Sequence, residues 1–421
     1  MQNKRILLII GFVLLVIVLG VLIYFVFIRD LVSPGNTNEN INGVTNQNIN
    51  GGLPITNGTV NVNRVVTNVN QGVNINRQQV NINGVKVDDV ARGGQTYAKA
   101  EVDQKAEAVS LTSDGATLRY YDPAQGKFYK LDSLGKPQEL SDKIFPEAKK
   151  ITWSPKGNKA VVSFPDQSKI VYDFDSKQQV TLPKEWDSVQ FSPAGDQLGF
   201  LNISDQESAR WLAVSNADAS EVKLIEPLGD NASKVDVNWS PNSQVVALFR
   251  DSANASGLTI LPIGLNQENF KSFDVLGRGF QGIWSPKGDQ ILYSVYSDDS
   301  RYNPVIHVVD ASGDTTGNND LNLQLQTWAS KCTYDSGSFA YCAVPQYLPT
   351  GSALEPALAG YTNDSVYKID VNTGIASVIA LPSYLNSQKN YVINELFVGQ
   401  NDSILYFTEN LTGKVFSIKL K

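Results

Sequence analysis

The sequence predicts an all-β repeat fold, and three observations support this prediction. A short phrase, an aromatic residue followed by Ser-Pro and then mostly x-Gly, begins at Trp153, Phe191, Trp239 and Trp284. Its period of about forty to fifty residues is typical of repeat architectures. The segments that flank each copy are rich in β-branched and aromatic residues and lack helical spacing.

Each copy of the phrase predicts a tight turn between two strands. Serine opens the turn and can bond its hydroxyl to the backbone ahead, proline presets the second position, and glycine closes the turn at the fourth. Strand-like runs such as residues 159–164 and 290–295 follow directly. The phrase is therefore typical of a strand–turn–strand hairpin.

A second hairpin follows the first in every repeat. Third strands are predicted at residues 170–174, 210–214, 258–261 and 305–309, each with a fourth strand after a further turn. Four antiparallel strands in a repeat of this length describe one propeller blade. Weaker copies of the turn at residues 111–115, 334–337 and 398–402 complete the set. The prediction is a seven-bladed β-propeller of four-stranded antiparallel blades.

The last blade looks one strand short, because the run 415–420 reads as a third strand. We expect the segment 85–90, ahead of the first blade, to close the ring as the outer strand of the seventh blade. Closure would remove an exposed strand edge, which propellers must manage.

The Ser-Pro-x-Gly hairpins resemble the TolB-type, WD-repeat-like propeller repeats, which are also seen in prolyl-oligopeptidase-type proteins. The resemblance covers roughly residues 85–421 and implies a fold more than a function, because such propellers host many unrelated activities. The chain departs from both relatives: no α/β domain is visible before the propeller, and no Gly-x-Ser-x-Gly elbow occurs. A TolB-like role in an envelope complex is the specific expectation that the resemblance adds.

The N-terminal segment, residues 1–30, predicts a cytoplasmic tip and one transmembrane helix. Residues 6–28 form an unbroken apolar run of 23, which as a helix spans about 35 Å and crosses a hydrocarbon core of about 30 Å. Lys4 and Arg5 precede the run and place the C-terminal bulk outside the cytoplasm. A cleaved signal peptide is the alternative, but the run is long for one and no small-x-small site follows it.

Residues 31–84 are predicted to be a flexible linker between the membrane and the propeller of residues 85–421. The segment is rich in Asn, Val and Gly and carries almost no charge. Its polar and β-branched alternation could form a strand, but a disordered stalk fits its composition better. We therefore expect a single-pass membrane protein with an extracytoplasmic propeller.

Composition excludes several classes of partner and cofactor. The net charge is −7, whereas binding to nucleic acid phosphates needs clustered Lys and Arg. No Walker loop or dinucleotide fingerprint occurs, so no cofactor is expected. We expect a monomeric propeller whose partner is a protein, a peptide or a cell-envelope glycan.

Two cysteines, Cys332 and Cys342, flank a degenerate hairpin centred on Gly337. A symmetric turn would place them opposite each other, and a disulfide there would add about 2–3 kcal/mol by closing a short loop. Two free buried thiols are the alternative. Metal binding is not expected, because the chain has one histidine.

The sequence does not favour an enzyme. His307 lies mid-strand between aliphatic residues, which indicates a packed or solvated side chain more than a catalytic base. The alternative is a carboxylate-based hydrolase or lyase that acts on polysaccharides or lactones. Its candidate acids lie in loops, and nothing in the sequence brings two of them together: Asp230, Asp298, Asp299 and Glu355.

The longest predicted loop, residues 345–363, directs attention to one face of the propeller. Loops of this length are usually functional or disordered, and this one carries aromatic and aliphatic residues. Trp, Tyr and Arg most often anchor interfaces. The binding hypothesis therefore comprises Trp186, Arg278, Arg301, Tyr302, Trp328 and Tyr347. The alternative is that these aromatics fill the core between blades, and for Trp328 it is the stronger one.

Overall fold

The computed structural model describes residues 80–82, 85–268, 270–384 and 387–421. The predicted transmembrane helix and most of the predicted linker lie outside these residues. Within the described part of the chain, no helix has the length and apolar character needed to cross a membrane. The described elements are β-strands and short 3-10 turns, which confirms the all-β prediction.

Short strands precede the ring, and the first three blades follow them. The N-terminal strands are β1 (Val80–Ile82), β2 (Val85–Val87), β3 (Gly94–Tyr97) and β4 (Lys99–Val102). Blade 1 is β5 (Glu107–Leu111), β6 (Leu118–Asp122), β7 (Lys127–Leu131) and β8 (Pro137–Glu139); blade 2 is β9 (Lys150–Trp153), β10 (Lys159–Ser163), β11 (Lys169–Asp173) and β12 (Gln179–Leu182); blade 3 is β13 (Trp186–Phe191), β14 (Gln197–Asn202), β15 (Trp211–Asn216) and β16 (Lys223–Pro227).

Four further blades complete the ring. Blade 4 is β17 (Val235–Val237), β18 (Val245–Asn254), β19 (Gly257–Gly264) and β20 (Phe273–Leu276), and blade 5 is β21 (Arg278–Trp284), β22 (Gln290–Tyr296), β23 (Val305–Asp310) and β24 (Leu321–Asn322). Blade 6 is β25 (Cys332–Tyr334), β26 (Phe339–Pro345), β27 (Asp364–Asp370) and β28 (Ala376–Tyr384), with β29 (Ser387–Asn390) beside β28. Blade 7 is β30 (Ile393–Val398), β31 (Ile404–Glu409), β32 (Val415–Lys419) and the N-terminal β4. The seven-bladed prediction is confirmed.

The 3-10 turns lie in the connections between strands. They span Glu207–Ala209, Gly229–Lys234, Gly313–Thr315, Ala329–Lys331, Pro356–Ala359 and Gln400–Asp402.

The strand that closes the ring is not the one predicted from the sequence. The outer strand of blade 7 is β4, which pairs Val102 with Val415 and Ala100 with Phe416. The predicted segment instead forms β2, which makes a hairpin with β1, and reaches blade 7 only through a bridge between Val90 and Lys419. β4 is selected because Val102 is buried against Val415 in the core between blades 7 and 1.

The N-terminal segment is tied to the ring at two further points. Strand β3 runs parallel to β28, the outer strand of blade 6. Strand β1 lies within residues 31–84, the segment predicted to be linker. The N-terminal segment therefore pairs with β28 of blade 6 and β32 of blade 7 before the chain forms blade 1.

The hydrophobic core consists of clusters between adjacent blades. In one of them, Tyr121 and Phe128 of blade 1 pack against Tyr172 of blade 2. In another, Tyr341 of blade 6 packs with Phe407 of blade 7. Each sheet thus buries both of its faces against its neighbours, which is why the strands read as near-continuous apolar runs.

The Ser-Pro-x-Gly phrase forms the turn that its sequence predicts. In blade 2, the Gly157 amide donates to the Ser154 carbonyl oxygen at 2.9 Å, and the Ser154 hydroxyl accepts the Lys159 amide at 3.1 Å. The copies at Ser192, Ser240 and Ser285 repeat both bonds. The fourth residue has a positive φ in all four copies, which is the conformation that favours glycine.

These turns lie together on one side of the ring. The Ser113 amide of blade 1 donates to the Pro155 carbonyl of blade 2 at 3.1 Å, and Ser336 of blade 6 bonds Asp402 of blade 7. We call this side, where first strands connect to second and third to fourth, the turn face. The opposite side, with the second-to-third and blade-to-blade connections, is the loop face.

Candidate functional site on the loop face

Trp186, one of the predicted binding residues, lies in the core. Its side chain is 5% exposed and stacks on Phe200, with ring centroids 3.6 Å apart. The cluster around it joins blades 2 and 3. The structure therefore does not bring Trp186 together with the other predicted residues, and its placement fits the packing alternative.

Arg278 and Tyr302 of blade 5 do come together. Arg278 is exposed at the start of β21, and its guanidinium donates to the Ala255 carbonyl. A hydrogen bond with Asp298 raises the pKa of the Tyr302 hydroxyl, and nearby Arg278 acts in the opposite direction. Both side chains therefore belong to one charged and aromatic patch on the loop face.

The long loop of blade 6, residues 346–363, is fixed against the neighbouring loop of blade 5. The Gly351 amide donates to the Arg301 carbonyl at 2.9 Å, and the Ala353 amide to the Tyr302 carbonyl at 2.9 Å. Asn303, which is 3% exposed, accepts the Ser352 amide at 3.2 Å. These bonds join the predicted residues Arg301 and Tyr302 to the loop that carries Tyr347.

The long loop presents large apolar side chains to solvent. Tyr347, Leu354, Leu358 and Tyr361 are 69%, 58%, 48% and 82% exposed. These side chains therefore project from a loop whose backbone is fixed by hydrogen bonds to blade 5. We call the surface formed by these four residues the docking surface.

Trp328 lies at the wall of a small cavity. This cavity, of about 270 Å³, is lined by the connection from blade 5 to blade 6, by the long loop and by residues of blade 7. Trp328 is half-buried there, near Asn394 and Asn410. We call this cavity the mouth pocket, and its lining places Trp328 on the loop face with its side chain partly exposed.

A buried ion pair stands at the mouth pocket. Lys331 Nζ donates to Asp364 Oδ1 at 2.7 Å, while Asp364 Oδ2 accepts the Ile393 amide at 2.7 Å. Burial lowers the pKa of Lys331 and raises that of Asp364, and each partner's charge opposes these shifts. The pair links blades 5, 6 and 7, and the sequence carried no signal for it, because its members are 33 residues apart.

Two carboxylates on the innermost strands of their blades have raised pKa values. Burial raises the pKa of Asp236 in β17, with Arg250 and Lys150 opposing the shift, and burial also raises the pKa of Glu395 in β30. Both side chains keep contact with solvent, and it is the surrounding protein that partly desolvates their carboxylates. They lie in different blades, 4 and 7.

The loop acids of the enzyme alternative are scattered. Asp298 and Asp299 lie in the loop of blade 5, and Glu355 precedes a 3-10 turn of the long loop. Asp230 lies beside Arg210, at 3.8 Å, on blade 3. Among the residues that the structure describes, no group of three or more His, Cys, Asp or Glu is arranged to hold a metal ion.

The predicted disulfide is confirmed. Cys332 and Cys342 face each other across β25 and β26 and are bonded. Both are buried in the core between blades 5 and 6. The disulfide joins β25 to β26, the strand from which the long loop begins.

His307 is packed, as expected for a strand histidine. Its ring stacks on Tyr293 with centroids 5.1 Å apart, and its Nδ1 lies 3.3 Å from Asp320 Oδ1. In the sheet, His307 pairs with Asn322 of β24, the outer strand of blade 5.

No protein-family model and no curated protein sequence matches the chain. Solved structures do: the propeller domain of Cps50 (Swd1) from Myceliophteria thermophila has a TM-score of 0.50 and 10% identity, over 77% of this chain and 100% of that chain. Hydrazine synthase of Kuenenia stuttgartiensis has a TM-score of 0.49 and 12% identity, over 74% and 94%. An oligogalacturonate lyase in complex with manganese has a TM-score of 0.45 and 13% identity, over 77% and 90%. At 10% identity, the likeness to the Swd1 propeller shows the fold alone.

Proposed function

We propose that the chain is a binding module that docks a protein partner through the long loop of blade 6. The docking surface and the patch of Arg278 and Tyr302 would form one interface. A propeller suits such a role, because its loops are displayed on a rigid ring. Tyr and Arg at the centre of an interface commonly carry much of the binding energy.

The observation that carries this proposal is the exposed apolar character of the long loop. Of the 15 exposed large apolar side chains among the described residues, four lie on this loop. Several large exposed apolar side chains on one loop are typical of sites that bind proteins. Hydrogen bonds from the Gly351, Ser352 and Ala353 amides to blade 5 fix the backbone of the loop that carries these side chains.

We further propose that the propeller is extracytoplasmic and anchored by the N-terminal apolar segment. The Cys332–Cys342 disulfide supports this location, because disulfides persist in oxidising compartments. The resemblance to TolB-type repeats suggests an envelope complex as the setting. The flexible linker would allow the docking surface to reach a partner at a distance from the membrane.

The test is co-purification after chemical cross-linking of the full chain in its native membrane. A variant with Tyr347→Ala, Leu354→Ala and Tyr361→Ala should lose a partner that the unchanged chain retains. The expected loss of affinity is about 30-fold or more, because a hot-spot residue typically carries about 2 kcal/mol or more and about 1.4 kcal/mol corresponds to a factor of ten.

A matched variant on the turn face serves as the control. Leu134 and Ile375 are as exposed as the loop residues but lie in turns between third and fourth strands. Leu134→Ala with Ile375→Ala should keep the partner. Equal capture by all three proteins, with equal melting temperatures, would show that the docking surface does not bind it.

A further inference from the structure

A second cavity lies on the outer flank of blade 5, near its loop-face end. It has a volume of about 400 Å³ and is walled by residues of β22 and β23, by the blade 5 loop and by Leu276 of blade 4. Ligand pockets typically occupy about 300–1,000 Å³. We call it the flank pocket, and it does not share lining residues with the mouth pocket.

The lining of the flank pocket is rich in uncharged hydrogen-bonding groups. The side chains of Asn322, Gln324 and Gln326 contribute amides, and Ser297 contributes a hydroxyl. Asp299 is the one acidic residue that lines the pocket, and none of the lining residues is Lys or Arg. This lining disfavours phosphates and other anions, while amides and a carboxylate can bond both the donor and the acceptor side of a hydroxyl group.

Apolar residues also line the pocket. Leu276, Val295 and Val305 lie among the polar residues. A sugar ring has the matching character, because its hydroxyl groups project from the edge and its C–H groups form an apolar face. The mixed lining of amides, hydroxyls and apolar groups therefore suits a neutral carbohydrate.

His307 is held at the pocket by a hydrogen-bonded relay whose central residue, Asp320, is partly exposed to solvent. The Tyr293 hydroxyl lies 2.8 Å from both Asp320 oxygens, and Asp320 Oδ1 lies 3.3 Å from His307 Nδ1. Burial, and then the Asp320 charge, raise the pKa of Tyr293, so this hydroxyl remains a donor. With Nδ1 directed at Asp320, Nε2 is the ring atom that His307 can offer to a ligand.

We propose that the flank pocket is a binding site for a neutral saccharide unit, with Asp299, Gln324 and His307 as hydrogen-bonding partners. The site adds glycan recognition to the protein docking proposed above. The two sites are adjacent, because the blade 5 loop supplies Asp299 to the pocket and Tyr302 to the patch beside the docking surface. A partner bound to a glycan chain could therefore be held at both.

The experiment is binding of the labelled full chain, in detergent micelles, to a printed array of neutral and acidic oligosaccharides. The best neutral ligand is then titrated by calorimetry. Asp299→Ala and Gln324→Ala are each expected to weaken it at least ten-fold. Gln178→Ala, an exposed glutamine near a turn of blade 2, should leave the affinity unchanged.

The outcomes separate this site from the docking surface. The Tyr347, Leu354 and Tyr361 variant should bind the saccharide as the unchanged chain does, even where it loses its protein partner. Binding of no neutral oligosaccharide, a preference for acidic ones, or unchanged affinity in both pocket variants would overturn the proposal.

Discussion

The repeated turns of the turn face and the longer loops of the loop face are fixed by different kinds of contact. On the turn face, each Ser-Pro-x-Gly copy is fixed by hydrogen bonds to backbone groups within the same turn. In blade 2, for example, the Ser154 hydroxyl accepts the Lys159 amide five residues ahead. On the loop face, Asn303 holds the Ser352 amide, and Lys331 holds Asp364, over much greater separations in sequence. The local bonds repeat in all four copies of the phrase, whereas these two non-local bonds each join one particular pair of segments, and such bonds can shape specific sites on the loop face.

The largest effect is expected at the buried ion pair of the loop face. Lys331→Met leaves Asp364 buried with the Ile393 amide as its remaining partner. Removing one member of a buried pair typically costs about 3–5 kcal/mol. Urea unfolding followed by tryptophan fluorescence should show this loss.

The double variant Lys331→Met with Asp364→Asn is the matched control. It removes both charges and keeps an oxygen for the Ile393 amide, so it should recover most of the stability lost in the single variant. Equal losses in the single and double variants would mean that packing, and not charge, accounts for the contribution of the pair.

On the turn face, the largest effect is expected at Gly157. A Cβ there would lie 1.6 Å from Nη1 of Arg119, and the residue has a φ of +78°. Arg119 is buried, donates to the Ser154 carbonyl at 2.9 Å and lies over the Trp153 ring. Gly157→Ala must displace it, with an expected cost of about 3 kcal/mol from the lost charged hydrogen bond and the backbone strain.

Gly195 offers the comparison within the same turn type. Its φ is +71°, but its Cβ would meet nothing closer than 3.6 Å. Gly195→Ala should therefore cost about 1 kcal/mol, the backbone term alone. Similar losses for both variants in thermal unfolding would exclude Arg119 as the reason for the larger effect.

The sequence was sufficient to predict the blades because their signals are local. The turn at Ser240 needs its own Pro241 and the amide of Val245, all within six positions. The disulfide was predictable for the same reason, since Cys332 and Cys342 flank one hairpin.

The parts that could not be predicted depend on packing between distant segments. β4 and β2 are both short β-prone runs, and the burial of Val102 against Val415 decides which one closes the ring. Trp186 could equally have faced solvent, and its stacking on Phe200 is visible only in three dimensions. The loop itself was predictable from its length and composition, but its attachment to Asn303 was not.

An intermediate effect is expected at the disulfide, where blade 6 lacks the repeat phrase. Here Asp335 replaces the serine, and its carboxylate accepts the Gly337 and Phe339 amides at 2.8 and 3.1 Å. The paired substitution Cys332→Ala and Cys342→Ala should lower stability by about 2–3 kcal/mol, the entropy of a short closed loop. Dithiothreitol should destabilise the unchanged chain by a similar amount and leave the variant unaffected; a reductant effect of equal size on both would argue against the bond.

The smallest effect, and the one expected gain, lies in the blade 4 turn. Ser243 has a φ of +59°, at the position where three other copies of the phrase have glycine. Ser243→Gly removes the strain of a non-glycine residue in the left-handed conformation. This gain exceeds the cost of the larger conformational entropy that glycine has in the unfolded chain, so the free energy of unfolding should rise by about 0.5–1 kcal/mol. Gly195→Ser provides the reverse substitution and should lower stability. Because the turn is local, its strain can be removed without a change elsewhere in the structure. If Ser243→Gly instead lowers the melting temperature, blade 4 depends on contacts of the Ser243 side chain. The turns of the turn face would then be less alike than their repeated hydrogen bonds indicate.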